Sequence, residues 1–550
     1  MDARRRRAIF GAALLAAALM GSGAAGQTGD VRSLVAAGRL DGMRWPEFGD
    51  LHASLESFYA PAAYAPAWLR GTQPVPQALS LIEIFRNAER KGLDPEDYDA
   101  DRWEGRIRAL QTSRGDAAAA RFDVALTVCA IRYVSALQVG RIDPNHLEFG
   151  LTIDGQRYDL ARFLRERVLC AQNPASVLEQ VESPLRGYRR TERALERYLE
   201  LARADDADQL PAVSRPVDPG ESWAGTPRLV RFLKLVGDLP ADAGVPDDSR
   251  IYGGALVDAV RRFQRRHSLA DDGRIGAATI GRLNVPLGER VRQLQLALER
   301  WRWLGGDLSG PRIVVNIPGF RLRALDESLR VALEMRVVVG EAMRTETPVF
   351  AAEMTHVILR PYWNVPRGIL RREILPAVVR NRGYLARNRF EVTTHDGAVV
   401  TSGGVSDDVL ARLRSGELTV RQRPGPKNSL GLVKLMFPNE YSVYLHDTPA
   451  QQLFARSRRD FSHGCIRVEK AAELAAWALR NNPGWTLERL RREMTDGKDD
   501  VTVNLATPVP VAIVYTTAFA EENGEVHFFD DIYRHDAELA AQLARGYPYP

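Results

Sequence analysis

The sequence predicts a multidomain α+β protein, helical over its first half and rich in strands beyond it. Apolar residues recur three and four apart up to about residue 300, then alternate with other residues from about residue 311. A proline- and glycine-rich stretch, "VSRPVDPGESWAGTP" at residues 213–227, separates two helical blocks. With 550 residues, 45% of them apolar, the chain can fill about three or four cores.

The chain opens "MDARRRRAIFGAALLAAALMGSGAAGQTG", in which four arginines precede an apolar run at residues 8–20 and small residues follow at 23–26. That order is a secretory signal peptide. As a helix the run extends about 20 Å, short of the roughly 30 Å hydrocarbon core of a bilayer. Residues 1–26 are therefore expected to be removed from an exported protein that keeps no transmembrane span. Their loss takes Arg4 to Arg7 and Asp2, lowering the formal charge from +5 by a net +3 to +2. The remaining charges are of both signs and interspersed, so no basic stripe calls for nucleic acid, and no second apolar run of about 18 residues stands out.

The next elements are helical. In the scaffold, residues 27–215, "PQALSLIEIFRNAERKGLDPEDY" places Leu79, Ile82, Phe85 and Ala88 or Glu89 on one face and stops at Gly92 and Pro95. "ARFDVALTVCAIRYVSALQVGRIDP" repeats the design with Val124, Val128, Ile131 and Val134, stopping at Gly140 and Pro144. Residues 224–286 form a compact unit of three short helices, carried by Leu229, Phe232 and Leu233, then Ala259, Val260 and Phe263, then Ile275, Ile280 and Leu283. A charged connecting helix occupies residues 287–310.

Strands follow at residues 311–505. "RIVVNIPGFRLRAL" and "LRVALEMRVVVG" alternate around a turn at Asp326 and Glu327, and "EMTHVILRPYWNVP" continues the pattern. An arginine-rich, more helical insertion at residues 367–427 has the size and place of a lid. Residues 506–550 form a C-terminal segment.

The chemistry concentrates in "YSVYLHDTPAQQLFARSRRDFSHGCIRVEK", residues 441–470, with two of nine histidines and one of three cysteines. A strand period of two puts Ser442, Tyr444 and His446 on one face, with Tyr441, Val443 and Leu445 on the other. Gly464 permits a tight turn before Cys465, and the helical pattern "EKAAELAAWALRNN" follows, so the thiol is placed on a turn near a helix start. A thiol with pKa near 8.5 is only a few per cent ionised at neutral pH, and an imidazole that takes its proton readies it for attack on a carbonyl. His446 suits that task. His463 shapes the turn, whose backbone N–H groups at Gly464 and Cys465 could hold an oxyanion.

Other readings of these residues are open but less favoured. A metal site of His446, His463 and Cys465 lacks a clear fourth ligand. An inert buried cysteine finds little apolar company in "DFSHGCIR". Papain-like and cell-wall amidase folds place cysteine before histidine in the chain, the reverse of the order here. The cysteines, Cys129, Cys170 and Cys465, are odd in number for an oxidising compartment, and pairing of the first two would leave Cys465 as the free thiol. No CxxC pair supports a zinc-ribbon or thioredoxin-like site.

Two resemblances extend this reading. "VRRFQRRHSLADDGRIGAATIGRL" resembles the small three-helix peptidoglycan-binding module, in which "FQ", "DG" and "G.AT...L" recur in this order. "HDTPAQQLFARSRRDFSHGCIRVEKAAELA" resembles the signature of the L,D-transpeptidases, where "SHGC" follows a histidine by about 15 residues. "PYWNVPRGI", "GYLARNRFEV", "PGPKNSLGLVKLMFPN", "PVPVAIVYTTAF" and "GEVHFFDDIY" extend the likeness to the large, multidomain (YcbB-like) members with a YkuD-type catalytic domain. The resemblance implies Cys465 as nucleophile, His446 as base and the backbone carbonyl of Asp447 as the group that orients the imidazole. Tyr444, Ser462 and Arg467 are the implied substrate-binding candidates, although many smaller members carry asparagine at the position of Arg467.

The implied donor is a peptidoglycan tetrapeptide stem. Cys465 attacks the carbonyl of its third residue, a diamino acid such as diaminopimelate, D-alanine leaves, and a side-chain amine of a second stem captures the thioester in a 3-3 cross-link. No metal or nucleotide cofactor takes part, and β-lactams of the carbapenem class are implied inhibitors. The alternatives are L,D-carboxypeptidase-type hydrolysis, attachment of another acceptor, and a non-catalytic wall-binding scaffold. The implied location is the periplasm, against the cell wall.

Overall fold

A computed structural model describes residues 31–112, 116–151, 159–304 and 310–549; the expected leader, residues 1–26, lies outside the described residues. The scaffold core surrounds α1 (Asp116–Val139), which carries Val124, Val128, Ile131 and Val134 at full burial. Burial extends right round α1 rather than along one stripe, because Trp68, Phe85, Tyr98 and Trp103 contribute to the same core. This helix is long and apolar enough to cross a membrane, which the sequence reading of apolar runs missed, and 83% of that stretch is buried within the scaffold. The expected stripe in the helix Pro76–Arg86 is also displaced: Ile82 and Phe85 are buried, whereas Leu79 is 49% exposed and Ala78 and Leu81 face the core instead.

The scaffold is stitched to the rest of the protein where α1 stops. Gly140 has φ +82, and a Cβ there would meet Glu299 Oε1 at 2.8 Å and Trp303 Nε1 at 2.9 Å. Glu299 is fully buried, accepts the Ile142 N–H at 3.2 Å and pairs with Arg141 and Arg302. The scaffold continues through α2 (Arg186–Ala204). The three-helix unit is α3 (Thr226–Val236), α4 (Ala255–Arg266) and α5 (Ala277–Leu283), with every apolar residue expected in its core buried. Connecting helix α6 (Leu287–Trp303) follows. The unit does not stand alone, since its core also takes in Tyr188, Leu195 and Tyr198 of α2, Val291 and Leu294 of α6, and Ala518 and Phe528 near the C-terminus.

Beyond α6 come β1 (Arg312–Asn316), β2 (Arg321–Leu325), β3 (Val331–Gly340) and β4 (Phe350–Leu359). The insertion then forms a cap with β5 (Trp363–Asn364), β6 (Phe390–Thr393), β7 (Val399–Thr401) and β8 (Thr419–Gln422), in the order β5-β8-β6-β7. The cap is more helical than extended, as its sequence suggests, and its helices pack around a four-stranded sheet that the sequence reading did not anticipate. Its core, from Val365 through Leu385 and Val392 to Val420, is separate from that of the underlying domain. Its two ends meet at Asn428, whose Nδ2 donates to the carbonyls of Pro361 at 3.0 Å and Arg423 at 3.1 Å.

The chain re-enters the main sheet with β9 (Val433–Met436), β10 (Leu445–His446), β11 (Asp460–Ser462) and β12 (Ile466–Val468), and passes α7 (Ala471–Ala478) and α8 (Leu487–Asp496) before β13 (Val501–Val514). The strand order is β11-β3-β12-β10-β9-β4-β13-β1-β2, and β2 also pairs with β3, so the sheet closes on itself. Because β13 pairs with β4 and then β1 through Val514, the expected boundary at residue 505 falls inside a strand of the main sheet.

The C-terminal segment is not a separate appendage. Tyr515, Tyr533 and Leu539 join the catalytic core, Ala518 and Phe528 join the module core, and Tyr547 lies under the Arg132 guanidinium of the scaffold at 4.6 Å.

All three cysteines are free, which corrects the expected Cys129–Cys170 pair. Cys129 is sealed in the middle of α1, while Cys170 is exposed with its thiol 3.8 Å from the Arg165 carbonyl. Thiol counting on the unfolded, unreduced protein is expected to give three. On the folded protein Cys129 should be silent, because burial pushes its thiol far up and closes it to reagent. A count of one after unfolding contradicts this arrangement.

Candidate active site

The thiol and the imidazole are brought together by strand pairing. β10 lies between β9 and β12, with His446 opposite Lys434 on one side and Arg467 on the other. Leu445 and Ile466, also opposite each other, point to the buried core. Alternation then puts Lys434, Tyr444, His446, Cys465 and Arg467 on the other face of the sheet. Here the sequence reading holds for Tyr444 and His446, whose rings lie 5.8 Å apart. It fails for Ser442: φ +55 ends the extended run, and strand pairing begins only at Leu445. The Ser442 carbonyl instead sits 3.8 Å from the Cys465 thiol and can accept from it.

His446 is held by its backbone neighbour. The imidazole Nδ1 lies 2.6 Å from the Asp447 carbonyl oxygen. A carbonyl only accepts, so Nδ1 carries the proton and Nε2 is the basic nitrogen. Asp447 is fixed in turn: its N–H donates to the Val433 carbonyl at 2.9 Å, and its carboxylate accepts the Leu432 N–H at 2.9 Å. His446 is only 4% exposed, and burial, reinforced by the positive charge of Arg467, lowers its pKa to about 3. Cys465 is half-buried, and burial likewise pushes its thiol up, against the opposing pull of Tyr444, Lys434 and Arg467. At neutral pH the thiol and the imidazole are therefore both neutral at rest.

The turn before Cys465 is built by Ser462. Its Oγ accepts the Gly464 N–H at 3.2 Å and donates to the Cys465 carbonyl at 2.5 Å. Gly464 has φ +106, a conformation side chains rarely adopt, and its carbonyl accepts from Thr347 Oγ1 at 2.8 Å. Two expectations change here. The Gly464 N–H is already taken by Ser462 and is not free for an oxyanion, and Ser462 is a brace of the turn. The thiol also lies between two strands, β11 and β12, with α7 beginning only after β12.

His463 turns away from the thiol. Its Nε2 lies 2.5 Å from Glu373 Oε1, on the cap, so the turn that carries Cys465 also contacts the cap. This arrangement separates His463 from His446 and Cys465 as a metal-ligand set, and among the described residues no group of three or more His, Cys, Asp or Glu side chains is placed to hold a metal ion. Lys434 and Glu373 were not singled out from the sequence. Lys434 had a signal, as a lone cation in the middle of the apolar strand "LVKLMF", whereas Glu373 had none, since only the fold brings the cap to the turn.

Comparison with known proteins finds likenesses for three segments of the chain. Residues 310–511 match the L,D-transpeptidase catalytic domain of the YkuD family, residues 228–283 a peptidoglycan-binding domain, and residues 53–195 a scaffold domain. The chain is thus a multidomain α+β protein that joins a YkuD-type L,D-transpeptidase catalytic domain to a peptidoglycan-binding domain. Among individual proteins it is similar to a provisionally named L,D-transpeptidase of Haemophilus influenzae, with 32% identity over 227 residues, 41% of this chain and 45% of the relative. It therefore spans about half the length of that relative. A solved L,D-transpeptidase of Xylanimonas cellulosilytica, residues 123–326, aligns with 55% of this chain and 100% of its own at 15% identity and TM-score 0.17, too low to add weight.

Proposed function

We propose that the protein is an exported peptidoglycan L,D-transpeptidase that forms 3-3 cross-links through a Cys465 thioester. The observation that supports this most is the imidazole of His446, fixed through Nδ1 to the Asp447 carbonyl, with its basic Nε2 on the sheet face that carries Cys465 one strand away. Nε2 accepts the thiol proton as Sγ attacks the carbonyl carbon of the third residue in a tetrapeptide donor stem. The Cys465 N–H serves the oxyanion, since the Gly464 N–H is committed to Ser462. The carbon–nitrogen bond breaks, and the imidazolium returns the proton to the amine of the departing D-alanine. A side-chain amine of a second stem then attacks the thioester, yielding its proton to His446, and the thiol is restored. Tyr444 lines the thiol's flank, and the cap covers the bound stems as a lid. No metal or nucleotide enters these steps.

The leader in the sequence and the peptidoglycan-binding module support a location at the periplasmic cell wall. Because that module shares its core with α2, α6 and the paired strands Ala518–Ala520 and Val526–Phe528 of the C-terminal segment, excising it would disturb the whole body. Wall binding is better tested on the complete mature protein.

Incubated with tetrapeptide stems, the mature protein is expected to release D-alanine and give a cross-linked dimer by mass spectrometry. Tripeptide alone would instead indicate hydrolysis, and unchanged tetrapeptide contradicts the reading. The same protein is expected to pellet with purified sacculi, with or without the Cys465 thiol. Failure of both forms to pellet would sink the wall-binding assignment.

A further inference from the structure

Two cations flank His446, and among the described residues neither has a carboxylate in ion-pair contact. In the row Lys434–His446–Arg467, neighbouring strands lie about 4.8 Å apart, so the ammonium and guanidinium stand on either side of the imidazole. Both are half-buried. Arg467 Nε is enclosed with no hydrogen-bond partner. The Lys434 ammonium rests on the Tyr444 ring, 3.9 Å from its centroid. The carboxylate that bears on Lys434 most is Asp500, which is not in ion-pair contact with it and accepts from the Tyr362 N–H at 3.4 Å.

Buried arginines elsewhere in the chain have a carboxylate or backbone carbonyls as partners, although Arg132 Nε, Arg302 Nε and both Nε and Nη2 of Arg300 are, like Arg467 Nε, enclosed without a hydrogen bond. Arg266 grips Asp238, and Arg300 grips Asp536. Arg132 and Arg459, without a carboxylate, spend their N–H groups on backbone carbonyls. A buried charge left without such partners is costly to the fold, and a guanidinium with free N–H groups matches the two oxygens of a carboxylate.

We propose that Lys434 and Arg467 form a carboxylate-binding pair that draws the donor stem across His446 and fixes its reacting carbonyl over Cys465. This rests on the transpeptidase reading and names what the site recognises in its donor. Cys465 lies two residues along β12 from Arg467, a separation of about 7 Å. That reach admits two carboxylates of a tetrapeptide stem: the terminal one on the departing D-alanine, and the one on the side chain of the diamino acid. A carboxylate held there would also offset the positive field around the imidazole just as the thiol proton is transferred.

The test is the rate of Cys465 acylation, read by intact-protein mass spectrometry, with three donors: the free stem, its C-terminal amide, and the stem amidated on the diamino-acid side chain. Wild-type protein is expected to prefer the free stem over one of the amides on the order of ten- to a hundredfold, as for loss of a charged hydrogen bond, and the discriminating amide identifies which carboxylate is read. In Lys434→Gln and Arg467→Gln that preference should collapse towards unity, and Lys434→Arg should restore part of it. The preference is a ratio within one protein sample, so partial misfolding of a variant cancels. Equal wild-type rates for all three donors, or variants that keep the full preference, overturn the carboxylate pair while leaving acyl transfer standing. No adduct from the free stem, in protein whose Cys465 still reacts with a general thiol reagent, overturns the transpeptidase reading itself.

Discussion

Cys465→Ala is expected to abolish both turnover of a tetrapeptide donor and formation of a carbapenem adduct, leaving the protein folded. Without the thiol no thioester can form. The fold should survive because the turn is held by Ser462, Thr347 and the positive φ of Gly464, none of which needs the sulfur. Intact-protein mass spectrometry beside a muropeptide assay checks both halves. A carbapenem adduct that persists in the variant, or activity lost to a chelator in the wild type, contradicts a thiol mechanism.

Removing the base is the second large effect. His446→Ala is expected to slow acylation by a factor on the order of 10² or more, the usual scale for a lost general base. His446→Gln tests the same loss with a side chain that can still donate to the Asp447 carbonyl. Acylation that is unchanged in both variants shows that the imidazole is not the base. With its pKa lowered to about 3, first by burial and then by Arg467, His446 stays unprotonated throughout pH 5 to 8. Acylation should therefore lack the fall near pH 6.5 that an ordinary histidine would impose.

The same burial makes stability sensitive to acid. His446 and His527 are lowered to about 3, and His535 to about 4, in each case chiefly by burial. An unfolded histidine takes its proton near pH 6.5. The stability these groups provide is thus complete above about pH 6.5 and is lost as the pH falls towards their folded values, because the unfolded chain binds the protons first. His267 and His356 are lowered in the same sense, while Asp123, raised to about 6 by burial, and the raised carboxyls of Asp97, Glu182 and Asp447 act in the opposite direction. The melting temperature is expected to fall progressively below pH 6.5, and a flat profile down to pH 4 contradicts this.

The sequence by itself determined the parts that depend on neighbours along the chain. Helical spacing located the core of the three-helix module, and the alternation around Asp326 located β1 to β3. "SHGC" after His446 picked out the thiol and the imidazole of the candidate site, because a turn glycine, a thiol and an imidazole within twenty residues leave few other uses. Local pattern also erred where burial depends on what arrives from elsewhere. Leu79 sits on a helical stripe but lies exposed, and α1 is covered on all sides by aromatic residues distant in the chain. Only the tertiary structure decided the surroundings of the thiol. Strand register sets Lys434, 31 positions before Cys465, and Arg467 on either side of His446, and cap folding brings Glu373 to His463. Period-two alternation fixes which face a residue takes within its own strand, but it carries no information about which residue of another strand stands opposite. That pairing is set by closure of the whole sheet around one core, and with it the charge that surrounds the base.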